Sequence, residues 1–534
     1  MNENKLKSIP ADGWLGFKQN FKSDAVSGFV VFLLALPLSL GIAKASDFPP
    51  IMGLITAIIG GILVSFLMGS KLTIKGPAAG LIVIVAGAVA EFGQGDPFLG
   101  WKLALGALVV AGLIQILFGL LKFGKFVDFF PLSAIHGMLA AIGIIIIAKQ
   151  IPILLNDDLS IYKGLSPIEL LLHIPEFIRK LDPKATTIGM VSLLIMLCWP
   201  FIKNKKIKLI PAPLVVLAFA IPFEYFVVFE NKNVSESLVV IGNLIDHLAI
   251  NVNFESVFQT TTFVKYVFMF AIVGTLESLL TVKAIDSLDP YKRKSDTNQD
   301  IIAVGIGNTL AAFLGGLPMI SEVARSSANV NNGAKTRWAN FFHGFFILVF
   351  VLVAAPFLEL IPNAALAAML ISVGIKLAHP QEFIDIFKIG KDQLVIFVVT
   401  IVFTLLQDIL VGIFAGIAVN IVFHIANGVP ILSLFQSKMD VLVQEKNYKI
   451  SIKTAAIFTN YLGIKNKLEQ IPAGFDVIMD LKSTRLVDHS VMESLTHFKN
   501  HYETQMQGTF SLVGLEDHIS FSKHPLSVKK KLIK

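Results

Sequence analysis

Stretches of about 20 uninterrupted apolar residues, the length a helix needs to cross a bilayer, recur so often in this chain that they dictate its class. Candidate spans lie at about 25–43, 51–69, 99–121, 129–148, 186–202 and 209–228, and again at 263–282, 299–316, 339–358, 363–377, 393–407 and 409–431. Two further stretches, about 77–91 and 322–331, are too short or too polar to cross alone. Each follows a Gly/Pro segment, LTIKGPAAG and GGLPMISEV respectively. Counted as half-helices, they bring the expected total to 14 segments, an even number that returns the chain to its starting side.

Composition agrees. Of 534 residues, 54% are hydrophobic and 16% charged, against about 25% charged in soluble proteins. The mean hydropathy is +0.72. Cys198 is the single cysteine, which excludes a disulfide scaffold. The net charge of +7 does not indicate a nucleic-acid partner, because the basic residues sit in short runs between spans. Lys203, Lys205, Lys206 and Lys208 form one run, and Lys292, Arg293 and Lys294 another. Segment 1–23 carries Lys5, Lys7, Lys18 and Lys22 and is too polar for a cleaved signal, so both termini are expected in the cytoplasm. Under that topology the cytoplasmic connections hold about 21 Lys and Arg and the outer loops about nine, as the positive-inside rule requires. The longest outer loop, about 149–185, contains IELLLHIPEFIRKL, whose amphipathic pattern suits the outer interface.

An internal repeat is the most informative pattern. Ile59, Gly60, Leu63, Phe66, Leu67 and Gly69 recur as Ile306, Gly307, Leu310, Phe313, Leu314 and Gly316, at a constant offset of 247. Ser39, Leu40, Lys44, Ala45 and Asp47 recur as Ser278, Leu279, Lys283, Ala284 and Asp286; Pro131, Ala134, Met138 and Gly143 recur as Pro362, Ala365, Met369 and Gly374. Two halves of seven segments, about 24–228 and 262–432, follow. Because seven is odd, the second half enters the membrane from the opposite side. Inverted repeats with interrupted helices are the architecture of secondary transporters.

The offset of 247 sets Lys75–Ala78 opposite Glu322–Arg325, so both half-helices start at equivalent points. Helix N-termini attract anions, and Gly76, Ala78, Ala79 and Gly80 are small enough to let a ligand reach the backbone. Pro77 suits a first helical turn. With Ser321, Glu322 and Val323 these residues form the candidate substrate site. Arg325 would add a full positive charge where an arginine is costly. Glu277, mid-span and one turn before Thr281, is a candidate proton carrier or cation ligand, and Glu322 a second proton site. His136 and His343, near helix ends, read as structural. NNGAKT at Asn331–Thr336 lacks the phosphate-loop pattern. No zinc spacing and no nucleophile motif appears, so no enzyme, metal or cofactor is expected.

These residues resemble the SulP family of anion transporters, also called SLC26. ALPLSLGIAKASDFPPIMGLITAIIGG looks like its first two helices, KLTIKGPAAG like the approach to its third, LESLLTVKAID like its eighth and GGLPMISEVARSSANVNNGAKT like its tenth. The resemblance implies a seven-plus-seven inverted-repeat fold, a core moving elevator-fashion against a gate, an anion held between helices three and ten, and a homodimer. It also implies that Glu277 and Thr281 match sodium-binding positions of bicarbonate-carrying members, where the carboxylate is Asp. The Gly and Thr that complete that site are Ser321 and Val323 here, a departure that weighs against sodium coupling, and a carboxylate on each of helices eight and ten, Glu277 and Glu322, looks more like the related proton-coupled nucleobase transporters. The expected function is therefore proton-coupled symport of a small inorganic anion, sulfate or bicarbonate, in a bacterial inner membrane. Sodium-coupled bicarbonate symport, dicarboxylate or nucleobase transport, and a channel-like regulatory protein remain the alternatives.

From about 438 the pattern changes. YKISIKTAAIF, FDVIMDLKST and GTFSLVGL alternate like strands, and HSVMESLTHFKNHYETQ has helical spacing. This β-α-β order resembles a cytoplasmic STAS domain at 438–534. Ser490 falls at the position that is phosphorylated in its soluble relatives; it also suits a helix N-cap, with Glu493 completing a capping box.

Overall fold

The computed structural model describes residues 9–155, 165–204, 207, 210–228 and 249–532. Lys5, Lys7, Lys205, Lys206, Lys208 and part of the outer loop lie outside the described residues.

Every expected span is a helix, and the helices divide between two compact units. The first unit comprises residues up to 124 and 142–376; the second comprises 125–141 and 377–534. In chain order the helices at the expected segments are α1 (Gly13–Ala45), α2 (Pro50–Ile62), α3 (Ile82–Gly93), α4 (Pro97–Leu120), α5 (Leu132–Leu155), α6 (Pro183–Cys198), α7 (Ala212–Phe223), α8 (Thr260–Leu288), α9 (Thr297–Phe313), α10 (Val323–Asn331), α11 (Trp338–Leu358), α12 (Asn363–Leu377), α13 (Lys391–Leu406) and α14 (Ile409–Ala426). Among the described residues, eight helices are long and apolar enough to cross a membrane, and three shorter apolar ones accompany them.

Helix α1 starts 12 residues before the expected span. Asp12 caps it, accepting from the Gly13 N–H. Its polar first turns are held by aromatic packing of Phe17 on Trp338 and of Phe21 on Phe342. The segment IELLLHIPEFIRKL is two short helices, Pro167–Leu172 and Ile174–Lys180, because Pro175 interrupts the run after His173.

Small residues set the close helix contacts of the first unit. A Cβ on Gly305 of α9 would lie 2.7 Å from the Gly112 carbonyl oxygen of α4, and one on Gly61 of α2 would lie 2.4 Å from the Gly344 Cα of α11. The repeat shows in the same contacts. Gly60 faces Lys75 in its own half, and Gly307, at the offset of 247, faces Met319 in the other.

Each half contributes one three-residue strand, β1 (Lys75–Pro77) and β2 (Met319–Ser321). They pair antiparallel with Lys75 opposite Ser321, Gly76 opposite Ile320 and Pro77 opposite Met319. Antiparallel pairing is what two segments related by a twofold axis require. Pro77 thus sits on a strand rather than in a first helical turn: the helix begins with a 3-10 turn at Ala79–Leu81 before α3.

In the second unit the chain ends in a small α/β region. One sheet has the order β3-β4-β6-β8, formed by β3 (Met439–Gln444), β4 (Asn447–Ile452), β6 (Asp476–Asp480) and β8 (Thr509–Val513); a second has the order β5-β7-β10-β9, from β5 (Ala455–Ala456), β7 (Leu486–Val487), β9 (His518–Ser520) and β10 (Lys529–Lys531). The β4–β6 and β6–β8 pairs are parallel, as crossover helices demand. Those helices are α15 (Tyr461–Leu468) and α16 (His489–Gln505). Ile450, Val477, Met479, Leu495, Tyr502 and Phe510 share the core. Ser490 does not cap α16. Asp488 does, accepting from the Val491 N–H at 2.8 Å, so the expected Ser490–Glu493 capping box is not formed. A carboxylate is the stronger acceptor, and it takes the cap two residues earlier.

Candidate functional site

The two broken helices meet at β1 and β2, and polar side chains from four helices hold the strands there. The Ile74 N–H donates to Ser326 Oγ at 2.8 Å and the Lys75 N–H to Asn340 Oδ1 at 3.0 Å. Asn308 brackets β2: its Oδ1 accepts from the Met319 N–H at 2.6 Å and its Nδ2 donates to Gln115 Oε1 at 2.7 Å. Strand ends are also cross-tied, by Glu322 N–H to the Ile74 carbonyl at 2.9 Å and Ala78 N–H to the Pro318 carbonyl at 3.1 Å. The backbone that cannot continue a helix therefore finds partners inside protein, as it must at membrane depth. NNGAKT is a turn fastened to α1, with the Lys335 and Thr336 N–H groups donating to Asp24 Oδ1 at 2.7 and 3.2 Å.

The first half-helix starts in a closed environment. Gly76, Pro77, Ala78 and Ala79 are all buried. Lys75 is fully buried, and its Nζ lies 2.6 Å from Asp300 Oδ2 and also donates to Ser321 Oγ. Asp300 accepts in addition from the Ser70 N–H at 3.1 Å and hydroxyl at 2.7 Å. Ser321 is further bound to Ser278, whose Oγ accepts from the Ser321 N–H at 3.2 Å.

The second half-helix starts openly. Val323 is 51% exposed and Ala324 is exposed beside it. Glu322 caps α10, accepting from the Arg325 N–H at 3.3 Å. Arg325 is wholly buried, yet Nε, Nη1 and Nη2 have no hydrogen-bond partner among the described residues. Its nearest carboxylate oxygen, on Glu322, is 3.8 Å from Nε. The guanidinium instead lies against Gly76, where a Cβ would sit 2.5 Å from Nη1. Only glycine leaves that space.

Glu277, on α8, lies against the start of the first half-helix. A Cβ on Gly80 would fall 2.0 Å from Glu277 Oε1, and that buried oxygen has no partner among the described residues. Thr281 is buried one turn further along α8. The structure thus brings together Gly76, Pro77, Ala78, Ser321, Glu322 and Arg325 at the crossing, with Glu277 against the neighbouring turn. Val323, next to Glu322, is exposed.

Comparison with known proteins follows the same geometry. The profile of the sulfate permease family matches residues 21–400. The chain belongs to that family. Its members are transporters rather than enzymes, and the chain is a multi-pass membrane protein of that type. It is 29% identical over 414 residues to YvdB of Bacillus subtilis, assigned to sulfate transport, covering 76% of this chain and 74% of that one. It is 25% identical over 442 residues to the bicarbonate transporter BicA of Picosynechococcus, covering 82% and 75%. The transmembrane domain of a cyanobacterial BicA superposes with a TM-score of 0.64 at 24% identity, over 75% of this chain and 98% of that one. The structure of SLC26A9 superposes at 0.67 and 15% identity, over 93% and 85%. The expected SLC26-type fold is the one observed.

Sequence reasoning missed Lys75, Asp300, Gln115, Asn308 and Asn340. Gln115 and Asn308 carried a readable signal, since an amide inside an apolar span needs a partner. Ser490 lies in the second unit, where its Oγ accepts from the Leu132 N–H at 3.2 Å and it is 9% exposed.

Proposed function

We propose that this chain is a proton-coupled symporter of a small inorganic anion, sulfate or bicarbonate, working by elevator-type alternating access as a homodimer in the bacterial inner membrane, with both termini cytoplasmic. The observation that carries this is Arg325: a buried guanidinium with no hydrogen-bond partner, placed where two broken helices cross. A buried cation left unsatisfied is expensive. An anion on Arg325 and the nearby half-helix ends would offset that cost. The names of YvdB and BicA support the two candidate anions.

Proton coupling has separate support. Glu277 and Glu322 put two carboxylates at the crossing, and two negative groups beside an anion are best accommodated when one carries a proton. A sodium site built from Glu277, Thr281, Ser321 and Val323 is less favoured. The Ser321 hydroxyl already receives the Lys75 ammonium, and Val323 offers no side-chain oxygen. The α/β region at 438–534 is read as a STAS domain. Ser490, its candidate phosphosite, would have to leave the Leu132 N–H before modification.

The deciding experiment is uptake of labelled sulfate and, separately, labelled bicarbonate into proteoliposomes under a proton gradient, a sodium gradient or neither. Concentrative uptake driven by protons alone is expected for one of the two. Uptake driven by sodium would return Glu277 and Thr281 to a cation site. No uptake of either anion would reopen the substrate, with dicarboxylates and nucleobases next.

A further inference from the structure

One more buried base in the first unit is left without a partner. His343 is 0% exposed, and neither Nδ1 nor Nε2 makes a hydrogen bond among the described residues. Buried polar groups are normally satisfied. His343 lies in the second turn of α11, near its N-terminal end as expected, and is buried on the same face as Asn340, Ile347 and Val351. Asn340, one turn earlier, holds the Lys75 N–H; the next residue, Gly76, is the one against which Arg325 Nη1 rests. The Lys75–Gly76 step of β1 thus joins the α11 turn that carries His343 to the Arg325 guanidinium. On the other side α1 packs against the α11 backbone: a Cβ on Gly28 would lie 2.6 Å from the Ala339 carbonyl oxygen and 3.0 Å from the backbone nitrogen of His343.

Neighbouring charges are otherwise engaged. Lys75 is neutralised by Asp300, and Asp24 of α1 is occupied by Lys335 and Thr336. Glu322 caps α10. Arg325 and His343 together therefore hold five buried nitrogens without partners. A guanidinium fork and an imidazole on separate helices, α10 and α11, suit a ligand with several acceptor oxygens set at angles to one another.

We propose that His343 is a second anion-binding side chain, donating a ring N–H to the same small oxyanion that docks on Arg325. This rests on the anion-site reading of Arg325 and extends it by one residue. The imidazole would favour an oxyanion, which can offer separate oxygens to the two donors, over a monatomic anion.

The test is titration calorimetry on the purified full chain in lipid nanodiscs, with sulfate and hydrogencarbonate as probes and chloride for comparison. Arg325→Ala is expected to lose oxyanion binding. His343→Leu is expected to weaken it about tenfold, the loss of one hydrogen bond to a charged group. His343→Gln, whose amide keeps an N–H, is expected to stay within about threefold of the parent. Oxyanion affinity unchanged in His343→Leu would overturn the proposal. If that variant fails to fold, 15N-labelled imidazole resonances of the unmodified chain decide. A His343 ring nitrogen that shifts on adding the oxyanion, but not in Arg325→Ala, supports the proposal, and an unmoved resonance overturns it. Absence of binding by the unmodified chain would instead take down the Arg325 reading, and His343 with it.

Discussion

The two broken-helix starts occupy equivalent places in the repeat and treat charge in opposite ways. In the first half Lys75 is fully buried and matched by Asp300, with Ser70 and Ser321 completing its surroundings. In the second half Arg325 is equally buried, but no acceptor bonds its nitrogens and Glu322 stands 3.8 Å away. One half has spent its cation on structure; the other has kept it available. The difference separates the two roles that a buried charge can have, and neither composition nor hydropathy distinguishes them.

The sharpest way to break the comparison is to remove each cation in turn. Arg325→Ala should abolish uptake, roughly a hundredfold loss or more, while melting and assembly stay as in the parent. Equal flux at matched incorporation would show that Arg325 is a second structural cation. Lys75→Met should do the reverse. It leaves the Asp300 carboxylate buried without its ammonium, which costs about 3–5 kcal/mol, and the double variant Lys75→Met/Asp300→Leu should recover much of that loss. Denaturation of the three proteins in one detergent checks this. A single variant as stable as the parent would mean that the pair contributes nothing to the fold.

Two glycines sharpen the comparison further, because each half-helix uses one to seat an ionisable side chain. Gly80→Ala would drive a methyl into the Glu277 carboxylate, at 2.0 Å from Oε1 and 2.3 Å from Oε2. The carboxylate must move, and flux should fall about tenfold with little loss of stability. Flux at the parent level would detach Glu277 from the transport cycle. A smaller effect is expected at the second start. Glu322→Gln keeps an oxygen to cap α10 but cannot ionise, so the few-fold stimulation of uptake by an imposed pH gradient should disappear while basal flux persists. An unchanged response would leave Glu322 a cap and nothing more.

Much of this arrangement was legible from residues. Both half-helices, their Gly/Pro approaches and the exceptional position of Arg325 follow from hydropathy, the offset of 247 and the cost of charge in lipid. Pro77 was misplaced because proline suits a helix start and a short strand equally, and only the pairing with Met319 decides between them. Lys75 and Asp300 were invisible as a pair: they lie 225 residues apart, and nothing local in either marks a tertiary partner. Ser490 was read as a cap because Ser-x-x-Glu fits the pattern, yet Asp488, two residues earlier, is the better acceptor.

Asp488 extends the comparison beyond the membrane with a third solution. It is buried, it accepts from the Phe458 N–H at 2.6 Å and the Val491 N–H at 2.8 Å, and its nearest base, His424 Nε2, is 3.6 Å away. Burial pushes its carboxyl up to about 7, against the pull of those two N–H donors. Where Lys75 is matched and Arg325 is left open, Asp488 can take a proton. A carboxyl whose folded pKa is raised stabilises most below its ordinary range, and that contribution is lost as pH rises through about 7. Between pH 6 and 8 the loss is about 1 kcal/mol. His489 works in the opposite sense, since burial holds it below the usual imidazole range and favours the fold at higher pH. Asp488→Asn cannot titrate and keeps one acceptor oxygen for the Val491 N–H at the start of α16, losing the Phe458 contact, so hydrogen exchange along α16 in the full chain should become less sensitive to pH over that window than in the parent, whatever its absolute level. An identical pH profile in both proteins would mean that Asp488 stays ionised, with its two N–H donors outweighing burial.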